Sequence, residues 1–569
     1  MTICFFGRRL PAVALASFFI LILTVPAAMA ASTDKNLTPA EKLKLGERMY
    51  REGILPSGEP MEAFVNGDVP VSGEAFTCVS CHLRSGLGSI EGDIVTPPTN
   101  GRILYAPRTL LLKGFETVPD IRKYSLATLE RPAYTDETLA KVIASGVDPA
   151  GHTLKSIMPT YHVDDADMAL LIDYLKTLSD KLPPGVTDRE IRFATVIAGD
   201  VDPLEVEAMV QPLDFYIANK NGLAENFKRY PWKSKMGMNM LGPELLAKRM
   251  SLARWKLTGP PATWRAQLEE YYKKDPVFAL LGGISNESWE PIHRFSEDHK
   301  LPCLFPDTEF PVISKTDWYT LYFNKGIYQE GEGAARYLHS VHDLVVSKGV
   351  IQVVESSPKG KRLASGFLTT WQEYGLVPPT TIKAGDDGRI DLEELQAVLD
   401  KNPPAVLLLW SNEQALPILK MVAQSKNRPQ LVIVSSGMLG DEMWKLPEEY
   451  RSYTYITWPY RTPQEDARYD AILTPILHGK QFTGHARQAF EQSYDTSLVQ
   501  SQALIMMRGE YYRDFFFDTI GMIQDLEYPL YERLTFGPGQ RYASKGCYLV
   551  QLDKGENPQL IKRSDWVIQ

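Results

Sequence analysis

The chain has 569 residues, enough for about three or four domain-sized units. It is 44% hydrophobic and 23% charged, ordinary proportions for a soluble globular protein. The formal net charge is −9 and no basic block interrupts it, which argues against nucleic acid as a partner. Residues 1–30 read as a targeting segment. Arg8 and Arg9 supply a positive start, Leu10 to Val25 is an apolar run, and Ala28-Met29-Ala30 has the small-x-small form of a cleavage site. The mature chain is expected to begin at Ala31. An uncleaved anchor is disfavoured, because the run is short and Pro11 interrupts it. No later stretch approaches about 18 uninterrupted apolar residues, so no membrane span is expected after cleavage.

Thr38-Pro39-Ala40-Glu41 has the form of a helix start: an N-cap, a proline in the first turn, and a glutamate three residues after the cap. Residues 53–76 carry Gly, Pro and Ser and read as an extended loop. Next comes Cys78-Val79-Ser80-Cys81-His82. Two thiols three positions apart followed at once by histidine form a c-type haem attachment motif. Each thiol can add to one vinyl group of a haem edge, and His82 then lies under the iron. A zinc site would need a second Cys/His pair close by, and none follows. The Pro/Gly-rich run through Pro97, Pro98 and Gly101 has no period and is expected to wrap the haem edge. Thr135 caps a further helix bearing Leu139, Val142 and Ile143, which Gly146 closes. A last helix over residues 164–178 carries Met168, Leu171, Ile172 and Leu175 as its buried stripe.

An N-terminal helix, a Cys-x-x-Cys-His motif, the Met158-Pro159 pair on a loop and a closing helix together resemble a class I cytochrome c, over residues 33–185. The resemblance implies an all-α fold, one covalently attached haem c, and Met158 as the sixth iron ligand. Separately, a soft neutral thioether would favour ferrous iron, and Pro159 would restrain the backbone that aims it. His152 and His162 are the competing ligands.

Pro183-Pro184-Gly185 reads as a linker. Beyond it, short apolar runs alternate with helical patterns: Ile191 to Ile197, Val277 to Gly283, Val350 to Val354, Ala405 to Trp410, and Leu431 to Val434. That alternation predicts α/β architecture with parallel sheets and helices on both faces. Residues 188–569 are too many for one such sheet, so two lobes are expected. The order of elements resembles the type I periplasmic binding proteins, the class of branched-chain amino-acid receptors. The similar points are Gly282-Gly283-Ile284-Ser285, Leu301-Pro302 before Thr308, a lobe switch near Phe323, helices around Tyr494 to Met507, and closing strands from Phe536 to Leu552.

In such folds ligands sit beyond the carboxyl ends of the strands, near helix N-termini. The candidates are Ser285, Asn286, Thr308, Ser356, Ser411 and Ser435, with Ser357, Asn412 and Ser436 beside them. Helix capping is the competing role for each. Trp289, Trp410 and Trp458 are candidates for stacking on a ligand or for the core. Cys4 leaves with the targeting segment, and Cys303 and Cys547 remain as an even pair that could form a disulfide. The sequence carries no G-x-G-x-x-G after the first of these strands, no Walker loop and no H-E-x-x-H. The expected function is that of an exported, periplasmic mono-haem cytochrome passing one electron to or from a dehydrogenase or oxidase. It is fused to a module that binds a small molecule or docks a partner. The alternatives are a solute-binding redox sensor and a haem-containing dehydrogenase subunit.

Overall fold

A computed structural model describes residues 37–568, apart from 67, 92–93, 109–129, 230–240, 243, 342–348, 386–387, 524–526 and 538. The targeting segment and Cys4 lie outside the described residues.

In the first domain, Thr38 Oγ1 accepts from Glu41 N–H and the Glu41 carboxylate accepts from Thr38 N–H at 2.8 Å. This reciprocal cap starts α1 (Pro39–Glu52). The stretch expected to be a loop instead carries β1 (Glu62–Val65) and β2 (Val69–Ser72), an antiparallel pair. After α2 (Cys78–His82) come a two-strand turn of β3 (Ile90–Glu91) and β4 (Ile94–Val95), then the short α3 (Gly101–Leu104) and α4 (Asp136–Ser145). β5 (Thr160–His162) pairs with β1 and completes a three-stranded sheet. The helical framework therefore carries small antiparallel sheets that the resemblance did not imply. Local sequence did not signal them because β1 is held partly by a strand almost a hundred residues away.

Asp164 accepts from Asp167 N–H at 2.8 Å and caps α5 (Asp165–Thr177). Its expected stripe of Met168, Leu171, Ile172 and Leu175 is buried in one core with Met49 and Tyr50 of α1. The two helices cross at Gly46, where a Cβ would come within 2.3 Å of the Leu170 carbonyl oxygen.

The second region opens with β6 (Glu190–Ala198), α6 (Pro203–Arg229) and β7 (Arg249–Leu257). β8 (Ala279–Leu281), β9 (Ile284–Ser285), β10 (Cys303–Leu304), β11 (Asp307–Thr308) and β12 (Thr320–Leu321) complete a seven-stranded parallel sheet. β8 and β9 pair in turn with the same strand, β6, and are separated by Gly282 and Gly283 at φ 57° and 103°. β7 was not expected. Its buried residues, such as Met250, Trp255 and Leu257, are interleaved with charged ones and make no continuous apolar run.

After Phe323 the chain enters the second lobe through helix Ile327–Ser340. β13 (Val350–Val354), β14 (Thr380–Lys383), β15 (Val406–Trp410), β16 (Leu431–Ser435) and β17 (Thr454–Trp458) run parallel in the order β14-β13-β15-β16-β17. β18 (Gly546–Leu552) and β19 (Leu560–Lys562) extend the sheet antiparallel, and β20 (Val567–Ile568) pairs with β18. The strands expected at 350–354, 405–410 and 431–434 agree with β13, β15 and β16 to within one residue.

Between β17 and β18 the chain returns to the first lobe. Helices Gly484–Met506 and Arg513–Gly521 pack there, with Val499, Leu504 and Phe516 in the first-lobe core. Cys303 and Cys547 are both fully buried free thiols, one in each lobe's sheet. The pair does not form the disulfide that an even count allowed. Trp289 and Trp410 are fully buried, and Trp458 donates its indole N–H to the Arg461 carbonyl at 2.9 Å, so all three are core residues.

The Gly46 contact yields a test with an unusual sign. Alanine in place of glycine in an open helix interior stabilises by about 1 kcal/mol. Here Gly46→Ala drives a methyl into α5 and is expected to destabilise the first domain by about 1–3 kcal/mol. Urea unfolding followed by far-UV circular dichroism should show its transition at lower urea than in the wild type.

Candidate functional site

The site begins with the geometry of α2. One short turn puts Cys78 at its start and Cys81 and His82 at its end. Cys78 is half-buried against the first-domain core and burial pushes its thiol up to about 12, whereas Cys81 is exposed. Both are free thiols. His82 is buried, and burial lowers its basicity, holding the ring neutral. Its Nδ1 lies 2.8 Å from the Pro97 carbonyl oxygen, so a neutral imidazole carries its proton there and donates it. Nε2 is then a bare acceptor. It is buried and, among the described residues, has no hydrogen-bond partner. A buried lone pair without a partner is costly in a finished protein and suits a metal ligand.

The loop bearing Met158 is tied to the same place. Tyr161 of β5 donates its hydroxyl to the Phe76 carbonyl at 2.6 Å, two residues before Cys78. Met158 is partly buried, and its side chain borders the core that Cys78 and Val79 also border. Cys78 and Met158 thus border one core of the first domain, although 80 positions separate them. The competing histidines are committed elsewhere. His152 Nδ1 is 3.1 Å from Asp148 Oδ2, and His162 is 59% exposed in its side chain, stacked beside Phe64 and near Glu62. Thr99 Oγ1 and both amide atoms of the fully buried Asn100 also lack partners. Two thiols, an unpartnered imidazole nitrogen and a thioether form a donor set that fits a haem.

The sequence-derived ligand candidates of the second region fall on both lobes and do local work. Ser285 Oγ accepts from Glu287 N–H, and Thr308 Oγ1 accepts from Phe310 N–H. Asn286 is exposed, its amide 3.4 Å from the Asp200 carbonyl. Ser435 caps helix Ser436–Leu439, Ser357 caps helix Pro358–Glu373, and Ser356 is exposed beside it. Ser411 Oγ and Asn412 N–H both donate to Glu355 Oε2, at 3.1 and 2.9 Å.

Sequence reasoning missed charged residues within each lobe and two contacts that cross between the lobes. Glu330, buried in helix Ile327–Ser340, accepts from Ser436 N–H and Oγ, Gly437 N–H and Thr457 Oγ1 at 2.6–3.1 Å. It fills the anion-binding end of helix Ser436–Leu439 with the protein's own carboxylate, and burial raises its pKa. Lys359 of the second lobe donates to Glu309 of the first at 2.6 Å and to the Gly437 carbonyl at 3.3 Å. Arg362 donates to the Pro311 carbonyl at 2.9 Å. His485 lies 3.0 Å from Glu205 and 3.6 Å from Asp307, and these carboxylates, Asp307 foremost, raise it to about 11, so it is a cation at neutral pH. Asp307 opens β11 and Glu309 follows it. Glu330 lies inside a helix, and only folding brings it to its donors.

Comparison with known proteins supplies the relationships. Residues 74–179 match the family model described as Cytochrome c. No curated protein matches the chain. Among solved structures, one from Rhodospirillum rubrum, described as a branched-chain amino acid ABC transporter, superposes with a TM-score of 0.50 at 13% identity, covering 66% of this chain and 100% of its own. A solute-binding protein from Rhodopseudomonas palustris BisB5, in complex with 3,4-dihydroxybenzoic acid, gives 0.45 at 14% identity over 66% of this chain and 98% of its own. A leucine-binding protein from Thermotoga maritima gives 0.43 at 12% identity over 66% and 98%. Among the described residues no helix is long and apolar enough to cross a membrane. The chain joins a cytochrome c domain to a two-lobed α/β region with the fold of the type I periplasmic binding proteins.

Proposed function

We propose that this protein is an exported, periplasmic electron carrier with a single haem c, fused to a module that binds a small molecule or docks a redox partner. The targeting segment is residues 1–30, the carrier domain residues 33–185 and the binding module residues 188–569. Cys78 and Cys81 hold the haem through thioethers, and His82 and Met158 are the axial ligands. One observation carries the reading: the buried, unpartnered Nε2 of His82, directed by the Nδ1 contact to Pro97 and flanked by two free thiols. When bound, the haem supplies a one-electron couple. The Pro97 carbonyl fixes the imidazole tautomer and raises its donor strength. The Met158 sulfur, soft and neutral, favours the reduced state. The packed residues around Met49, Tyr50 and Leu171 form the apolar core against which Cys78 and Met158 lie.

The binding role of the second region is supported by its two-lobed α/β fold and by the polar contacts that join the lobes, Lys359 to Glu309 and Arg362 to Pro311. The expected partner is a periplasmic dehydrogenase or oxidase.

Expression in a host competent for cytochrome maturation tests the assignment. The wild type should be coloured and keep its haem through denaturing electrophoresis. Cys78→Ser/Cys81→Ser should lose that covalent stain. A colourless wild type would end the electron-carrier reading.

The axial pair has its own test. Oxidised wild type should show the weak long-wavelength absorption of thioether ligation to ferric iron. Met158→Ala should lose the band and lower the midpoint potential, while His152→Ala and His162→Ala leave both unchanged. A band that survives Met158→Ala would remove Met158 from the iron.

A further inference from the structure

The haem-bearing loop does not end inside its own domain. Arg84 and Ser85 follow His82 by two and three residues, after a sharp turn at Leu83, whose φ is 62°. From the first domain, Tyr50 holds this turn by donating its hydroxyl to the Leu83 carbonyl at 2.7 Å. From the second region, helix Arg513–Gly521 holds it with a carboxylate. Asp518 accepts the main-chain N–H of Ser85 at 2.9 Å and that of Arg84 at 3.4 Å. It is the innermost of three acids spaced four residues apart. Asp514 meets Arg51 at 3.5 Å and Arg84 at 4.0 Å, and Glu510 meets Arg102 at 2.6 Å. The Arg84 guanidinium lies 4.0 Å from the centre of the Trp318 ring of the first lobe. Asp514 and Glu510 thus meet arginine side chains of the first domain, whereas Asp518, 9% exposed, is spent on the backbone beside the proposed iron ligand.

We propose that Asp518 is a positioning residue for His82, through which the binding module sets the redox potential of the haem. The proposal rests on the haem reading above. Two main-chain hydrogen bonds restrain the segment leaving His82, and with it the imidazole. A buried negative charge on the segment that leaves His82 would also favour the more positive ferric state of a haem held there. The surroundings make that charge conditional. Burial, opposed by the Ser85 and Arg84 hydrogen bonds and reinforced by Asp514, raises the Asp518 carboxyl to about 7. Tyr50 of α1 and Arg541 of the C-terminal segment also face it. The charge is absent well below that pH and present above it. The wild-type potential is therefore expected to fall as pH rises through about 7.

The test is a spectroelectrochemical titration of the full-length haem protein between about pH 5 and 9. Asp518→Asn should hold the low-pH potential throughout. At pH above about 8 and fixed applied potential, its ferric-to-ferrous ratio should fall at least threefold against wild type, equivalent to ~30 mV for one electron. Glu510→Gln, which loosens the same interface at its exposed rim, should track the wild type. Coloured Asp518→Asn protein with an unchanged potential at every pH would overturn the proposal. So would equal shifts in both variants, since docking in general would then be responsible. Should Asp518→Asn fail to fold, hydrogen exchange on wild type decides: a Ser85 amide as protected as the α5 core supports the clamp, and loop-like exchange overturns it. A colourless wild type would instead fail the haem reading itself.

Discussion

The carbonyl of Pro97 decides what His82 can do. An imidazole has two nitrogens, and either can carry the proton in the neutral ring. Burial keeps the ring neutral, and the 2.8 Å contact from Nδ1 to Pro97 puts the proton on that side. The other nitrogen is left bare and, among the described residues, without a protein partner. Everything else in the first domain serves that arrangement. α1 and α5 cross closely at Gly46 to make the core, β5 returns the Met158 loop to the thiols, and Asp148 takes His152 out of contention.

The second region has two lobes that meet through Lys359 and Arg362, and each lobe also pairs buried charges of its own. Glu330 lies on the N–H groups that helix Ser436–Leu439 would offer an anion. Lys359 and Arg362 reach across to Glu309 and Pro311, and His485 sits between Glu205 and Asp307. A ligand entering there would have to compete with internal ion pairs already made in partly dry surroundings. Such a site discriminates by charge before it discriminates by shape. The same first lobe bears helix Arg513–Gly521, which hydrogen-bonds the loop behind His82. The two modules are thereby joined by non-covalent contacts as well as by the chain.

Much of this could be read from residues alone where the signal is local. Cys78, Cys81 and His82 are contiguous, and their chemistry requires that spacing. The caps Thr38, Thr135 and Asp164 act within three residues, and each heads its expected helix. Short, mostly apolar runs at 350–354, 405–410 and 431–434 mark strands buried on both faces, so their positions were legible too. The candidate cleft residues were less so. Ser285, Thr308, Ser411 and Ser435 carry the right chemistry, but each spends its hydroxyl on a neighbouring turn, carboxylate or cap.

What sequence determined by itself was whatever short-range chemistry dictates: the haem motif, the helix starts, and the alternation of buried strands with helices. Tertiary structure decided which distant groups meet. It paired β1 with β5, left Cys303 and Cys547 in separate sheets, brought Glu330 to Ser436, and set Asp518 against Ser85. Those contacts span from about a hundred to more than four hundred residues. No local pattern encodes them, because each forms only when two independently packed elements are driven together by burial of their apolar faces.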